Sequence, residues 1–209
     1  MSEREGRVAR RQRRNRDALI EAGRQVMLEK GIDAATMQEI AEIADVGAGT
    51  IYNYFKSKDD LAIAVLEHMM HHLALRIERV TDTFADPAQI YAYGIRTVLT
   101  TAVEDFRWKQ LLHRSEVIAD AMYRQMGPFA IRDLRNATQA GRFQVAEAGL
   151  VWRMTCHAIV GVALAITKGE LPFEATDEAV VRLLCMAGIG VSDAAELAAR
   201  PRPSLGQEH

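Results

Sequence analysis

Thr36-Met37-Gln38-Glu39-Ile40-Ala41-Glu42-Ile43-Ala44-Asp45-Val46-Gly47-Ala48-Gly49-Thr50-Ile51-Tyr52-Asn53-Tyr54-Phe55-Lys56-Ser57-Lys58 reads as two short helices joined by a tight turn. Thr36 can cap the first helix, and Glu39 three residues on completes a capping box that satisfies two otherwise unpaired backbone donors. Ile40, Ala41, Ile43 and Ala44 supply an apolar side, with Gln38, Glu39 and Glu42 turned away from it. Asp45-Val46-Gly47 breaks the helix, since Asp tolerates a left-handed backbone and Gly47 can open the next one. The second helix spans about two turns. Ile51 and Phe55, four apart, tie it to a core and leave Ala48, Thr50, Asn53 and Tyr54 free to point outward. A short exposed helix with small residues at its start can enter a DNA major groove, as the second helix of a helix-turn-helix does.

Working outward, the chain before this stretch divides in two. Arg4, Arg7, Arg10, Arg11, Arg13, Arg14 and Arg16 crowd the first 16 residues, and residues 1–13 read as a disordered basic arm with nothing apolar to bury. A first helix follows, with Leu19, Ala22, Gly23, Val26 and Met27 at helical spacing, and it stops at Lys30-Gly31. Residues 14–57 therefore form a three-helix head. Beyond it, Ser57 can cap a long helix from Lys58 to about Thr83, and Asp86-Pro87 opens another that reaches about Asp105. Phe106 to Asp120 is a further amphipathic segment, and Gly127-Pro128 breaks it from a helix over residues 128–140. A small-residue-rich helix from Glu147 to about Lys168 and a last one from Thr176 to about Arg200 complete a body over residues 58–200, with residues 201–209 a loose tail. No strand-like alternation is present, so the fold class is all-α, with about nine helices.

Composition narrows the function classes. The 209 residues carry a net charge of only −2, so a basic footprint for nucleic acid must be local, as the arginine-rich start is. Cys156 and Cys185, far apart in apolar surroundings, suit reduced core thiols. There is no signal-like start, and the apolar stretch around Ala158 to Thr167 is too short to cross a bilayer; the reading is a cytoplasmic protein without a membrane partner. No cofactor is implied. His68 and His72, four apart on one helix, invite a metal, but no H-E-x-x-H pattern accompanies them. A helical, metal-dependent or other enzyme remains the alternative function, although no phosphate-cradling glycine loop or G-x-S-x-G elbow is present.

The head resembles the TetR (tetracycline-repressor) family of transcriptional regulators. Gly31, Thr36, Glu39-Ile40-Ala41, Gly49-Thr50-Ile51-Tyr52, Tyr54-Phe55 and Ser57-Lys58 meet the family's pattern in order and spacing over roughly residues 14–66. It departs at the turn, where Asp45-Val46-Gly47 stands for the usual Gly-Val-Ser. The resemblance implies a ligand-responsive regulator, a repressor by expectation, that binds a pseudo-palindromic DNA operator as a homodimer and is released by a small effector. It also implies that Thr36, Tyr52 and Lys58 hold phosphates and that the final two helices build a four-helix dimer interface.

On that footing the DNA-contacting set is Arg10, Arg11, Arg13, Arg14, Thr36, Ala48, Thr50, Tyr52, Asn53, Tyr54 and Lys58, with the Asn53 amide able to bond adenine bidentately. Ala158, Gly161 and Ala165 on one helix, and Ala187, Gly188 and Ala194 on the other, would permit the close approach of subunits. The effector pocket is expected from Phe106, Trp108, Leu111, His113, Met122, Tyr123, Met126, Phe129, Trp152 and His157, an apolar and aromatic set with two polar contacts.

Overall fold

The computed structural model describes residues 2–104 and 115–206. Among these, eight α-helices and one short 3₁₀ turn account for all regular structure, and no strand occurs. They fall into two compact units, Met1–His68 and Met69–His209.

In the first unit, α1 (Ser2–Lys30) is a single helix, so the start of the chain is not the expected disordered arm. Arg, Gln, Glu and Ala are all strong helix formers, and a segment with nothing to bury can still propagate a helix that a packed core has nucleated further on. That nucleus begins at Leu19, Ile20, Val26 and Met27, all buried. Gly31, at φ 85°, ends the helix in the left-handed conformation that glycine adopts without a Cβ penalty. α2 (Met37–Ile43) starts at Thr36, whose hydroxyl accepts the Glu39 N–H at 3.3 Å. Only half of the capping box forms, because the Glu39 carboxylate turns to Lys30 at 2.5 Å instead. Ile43, expected on the apolar side, is exposed.

α3 (Lys58–Thr81) starts at the Ser57 cap, whose hydroxyl accepts the Asp60 N–H at 3.1 Å. Its first turns belong to the first unit: a Cβ placed on Gly23 would lie 3.2 Å from Val65 Cγ2 and 3.3 Å from Leu61 Cγ, so the glycine sets how closely α1 approaches α3. By its contacts the first unit thus extends into α3, as far as His68.

In the second unit, α4 (Pro87–Glu104) is central and packs against each of the four helices that follow among the described residues. α5 (Ser115–Gln139) runs unbroken through Gly127-Pro128, where a break was expected. Met122, Met126, Leu134 and Ala137 are buried on either side of the proline, and packing that continues across it offsets the lost hydrogen bond. α6 (Ala148–Thr167) lies against α5. The expected last helix is two, α7 (Ala175–Cys185) and α8 (Val191–Ala199), parted at Gly188 with φ 81°. A Cβ there would meet Gln144 Cβ at 2.8 Å and its carbonyl oxygen at 2.9 Å, so only glycine fits beside the loop that follows α5.

The described part of the tail is hydrogen-bonded to the body. Tyr93 Oη donates to the Pro203 carbonyl at 2.9 Å, and Arg76 Nη2 to the carbonyls of Leu205 and Gly206 at 3.3 and 2.8 Å. Asp86, which caps α4 through the Ala88 N–H, also accepts from Arg142 at 3.1 Å and Arg200 at 2.8 Å and so closes the start of α4 on the end of α8. Burial raises the pKa of this carboxyl, but the bonds from both arginines and from Ala88 outweigh burial and leave it below its ordinary value. A depressed carboxylate stabilises the fold above its unfolded pKa of about 3.9, and that contribution is lost as pH falls through the lower folded value. Asp86→Ala should therefore cost about 1–3 kcal/mol in urea unfolding at neutral pH, with the gap to the parent protein narrowing below about pH 4.

Candidate functional site

The segment after α2 is where the head meets solvent. Asp45 has φ 53°, the left-handed turn that its residue type tolerates, and the Val46 N–H bonds back to the Ala41 carbonyl at 2.9 Å. From Gly47 the chain tightens instead of forming two α-helical turns. Thr50 N–H donates to the Gly47 carbonyl at 2.7 Å, Asn53 to Thr50 at 3.0 Å and Tyr54 to Ile51 at 2.9 Å, each three residues back. The recognition segment is thus a succession of turns with a 3₁₀ core at Ile51–Asn53. Gly47 and Gly49 supply little helix propensity, so the anchoring of Ile51 and Phe55 decides the geometry. Those anchors are 0% and 3% exposed, and the Arg16 guanidinium lies 5.3 Å from the centre of the Phe55 ring.

Around the anchors, Ala48 and Asn53 are exposed, Tyr52 is 55% exposed, and Thr50 and Tyr54 are half-buried. Thr36 is exposed with its oxygen engaged by Glu39. Lys58 Nζ donates to the Asp33 carbonyl at 2.7 Å, which holds its charge beside the start of α2. Arg10, Arg11, Arg13 and Arg14 are exposed on α1, where Arg10 Nε reaches the Gly6 carbonyl at 3.2 Å.

The second unit holds a small cavity, about 370 Å³ of empty space counting its opening to solvent. Met126, Phe129 and Trp152 of the expected pocket line it. Met122 is fully buried in the core, Tyr123 lines a separate groove on α5, and His157 is exposed with Nδ1 2.9 Å from the Arg153 carbonyl. Those three do not line the cavity: Tyr123 and His157 face other sides of their helices, and Met122 shares the face of Met126 but lies one turn away along it. Phe106, Trp108, Leu111 and His113 lie outside the described residues. The remaining wall comes from α3 and α4, through Ala74, Ile77, Glu78, Tyr91, Gly94, Ile95 and Val98, and from Asp133 on α5. A signal for Asp133 was present: it falls in register with Met122, Met126 and Ala137 on the buried stripe of α5, where an acid is out of place. Among the described residues no group of three or more His, Cys, Asp or Glu could hold a metal ion.

Residues 19–65 match the model of bacterial regulatory proteins of the tetR family, and residues 86–200 match that of the tetracyclin repressor-like C-terminal domain. The chain belongs to the TetR family. Members of this family are DNA-binding regulators, not enzymes. Among its relatives, the regulator TtgR of Pseudomonas putida is 28% identical over 169 residues, 76% of this chain and 69% of TtgR. The repressor KstR2 of Mycolicibacterium smegmatis is 30% identical over 74 residues, 35% of this chain and 36% of KstR2. Against the KstR2 repressors and a Staphylococcus aureus regulator, the chain spans about a third to a half of the relative's length, from 36% to 54%. A solved structure of RolR in complex with resorcinol superposes with a TM-score of 0.83 at 28% identity, covering 95% of this chain and all of that one.

As a TetR-family chain, the protein places its small residues unevenly. Ala187 and Ala194 are 0% exposed within the protomer and serve internal packing, while Gly188 is exposed and lies against Gln144. On α6, Gly161 is exposed and Ala158 and Ala165 are half-buried. Leu150 and Met154 on the same helix are 59% and 49% exposed. By length and hydropathy α6 is apolar enough to cross a membrane, longer than the Ala158–Thr167 run implied because the apolar pattern continues back to Ala148. Core helices pass the same test, yet only 33% of its most apolar window is buried.

The split between anchors and exposed residues has a measurable consequence. Ile51→Ala should cost about 2–5 kcal/mol of head stability, whereas Tyr52→Ala should stay within about 0.5 kcal/mol of the parent in the same thermal melt.

Proposed function

We propose that this chain is a transcriptional repressor that binds a pseudo-palindromic operator as a homodimer and leaves it when a small aromatic effector occupies the cavity of the helical body. The observation that carries the DNA half is the exposed trio Ala48, Tyr52 and Asn53 set on fully buried anchors within a matched TetR head. Asn53 offers an amide to base edges, while Tyr52, Thr36 and Lys58 stand for phosphates and the arginines of α1 extend the contact along the backbone. Because residues 32–55 contain no Lys or Arg, affinity leans on α1, Lys56 and Lys58, and falls steeply with salt. In functional terms residues 14–57 are the reading head and 58–200 the sensing and pairing body. A DNA-binding regulator works in the cytoplasm, beside the chromosome.

The dimer half is supported by α6. A helix this apolar with only a third of its window buried carries greasy surface that a second copy can cover, and Leu150, Met154, Gly161 and Ala165 recur at spacings of four, seven and four residues along one side. The effector half is supported by the cavity walls and by RolR, whose solved complex holds resorcinol. An effector releases DNA only by binding one arrangement of the two heads better than the other.

A gel shift with DNA from upstream of the protein's own reading frame tests the regulator. Salt-sensitive, sequence-specific retardation is expected, and Tyr52→Ala should weaken it at least about tenfold with the oligomer intact; equal retardation of unrelated DNA would overturn the reading. Light scattering after size exclusion should give a dimer for the parent chain and a monomer for Leu150→Glu/Met154→Glu. A monomeric parent at micromolar concentration would remove the pairing of heads.

A further inference from the structure

The cavity is apolar except at one end, and that end is specific. Trp152, Phe129, Tyr91, Ile95 and Met126 form aromatic and aliphatic walls, while Glu78 from α3 and Asp133 from α5 bring two carboxyl groups to the same lining. Arg132 joins them. Its Nη1 and Nη2 bond both Glu78 oxygens at 2.8 and 2.6 Å, and its Nε and Nη2 both bond Asp133 Oδ1, at 3.0 and 2.7 Å. Every acceptor in the trio is thereby used, with the exception of Asp133 Oδ2, which has no hydrogen-bond partner among the described residues although Asp133 is only 7% exposed. That oxygen is not sealed from solvent, so a guest entering the cavity can reach it.

The other polar atoms of the lining narrow what the donor can be. Thr155 Oγ1 donates to the Val151 carbonyl at 2.9 Å, so the Tyr91 hydroxyl, 3.2 Å from Thr155 Oγ1, gives its proton to Thr155 and is committed. Trp152 Nε1 is buried with no partner, a second unspent group on the same wall and a donor rather than an acceptor. The trio Glu78, Asp133 and Arg132 carries one negative charge in excess, which disfavours an anionic guest. Burial raises the Asp133 pKa even against the Arg132 hydrogen bonds, and the Arg132 guanidinium bonded to both carboxyl groups sets a positive charge at the same end, which disfavours a cationic guest. What fits is a neutral group that donates a hydrogen bond from an aromatic ring small enough for this void.

We propose that Asp133, held through Oδ1 by Arg132, is the specificity residue of the effector cavity, and that its Oδ2 accepts a hydroxyl proton from a small, uncharged hydroxylated benzene. The inference rests on the cavity being the effector site and deepens that reading by naming the ligand class and the atom that selects it. Arg132 acts by positioning, since its fork fixes the carboxyl plane through two helices at once.

Titration calorimetry on the full-length protein near pH 7 tests it with five probes: phenol, resorcinol, toluene, benzoate and benzylammonium. Resorcinol and phenol should bind at least about tenfold more tightly than toluene, with no heat from the two ions. Asp133→Asn, which preserves shape, should erase at least about tenfold of the phenol affinity and leave toluene unchanged. Toluene binding as tightly as phenol, preference for benzylammonium or benzoate, or no heat from any phenol would each overturn the proposal, and the parent protein alone supplies these outcomes should the variant fail to fold. Operator retardation run on the same sample separates the two readings. Phenol binding without DNA binding leaves the subsite standing and removes the repressor, whereas DNA binding without phenol binding does the reverse.

Discussion

Ile51 and Phe55 hold the head's recognition segment to the core while the residues between and before them stay in water. Five residues are too few for an α-helix to secure itself, and a segment containing Gly47 and Gly49 gains little from propensity. Its conformation is therefore set by two buried side chains, by the i+3 hydrogen bonds that follow, and by Asp45 accepting a left-handed backbone at the preceding turn. Gly23 contributes by letting α1 close on Leu61 and Val65 at the start of α3. DNA reading needs this combination, because an exposed side chain carries information only when its backbone does not wander.

The second unit solves a different problem. α4 is buried on nearly every side, which suits a helix that touches all four of its successors and leaves little room for polar atoms. Where polar atoms do occur they are grouped. Asp86 gathers two arginines, a helix N–H and the end of α8. Asp133 and Glu78 gather on Arg132 at the end of the cavity. The first group is fully engaged and ties the fold together, while the second keeps one oxygen in reserve.

The helical body was legible where periodicity and punctuation agree. The bounds of α6, the cap at Thr36, and the positive φ at Gly31 and Gly141 follow from residue type and spacing. The continuity of α5 through Pro128 was not, since a proline's cost is local and the packing that offsets it is contributed by residues distant in sequence. For the same reason Ala187 and Ala194 could be read as surface contacts: small residues permit close approach, but which partner approaches depends on the rest of the fold.

By itself the sequence determined an all-helical chain, its helix-turn-helix head, the capping and turn residues, and the basic patch at its start, because each depends on residues within a few positions of one another. Only the tertiary structure decided that the recognition segment is a 3₁₀ turn, that the tail is fastened by Arg76 and Tyr93, and that the cavity borrows its polar end from Glu78 on one helix and Asp133 on another. Those outcomes are set by burial and contacts between segments 39 to 130 residues apart, distances over which local propensity carries no information.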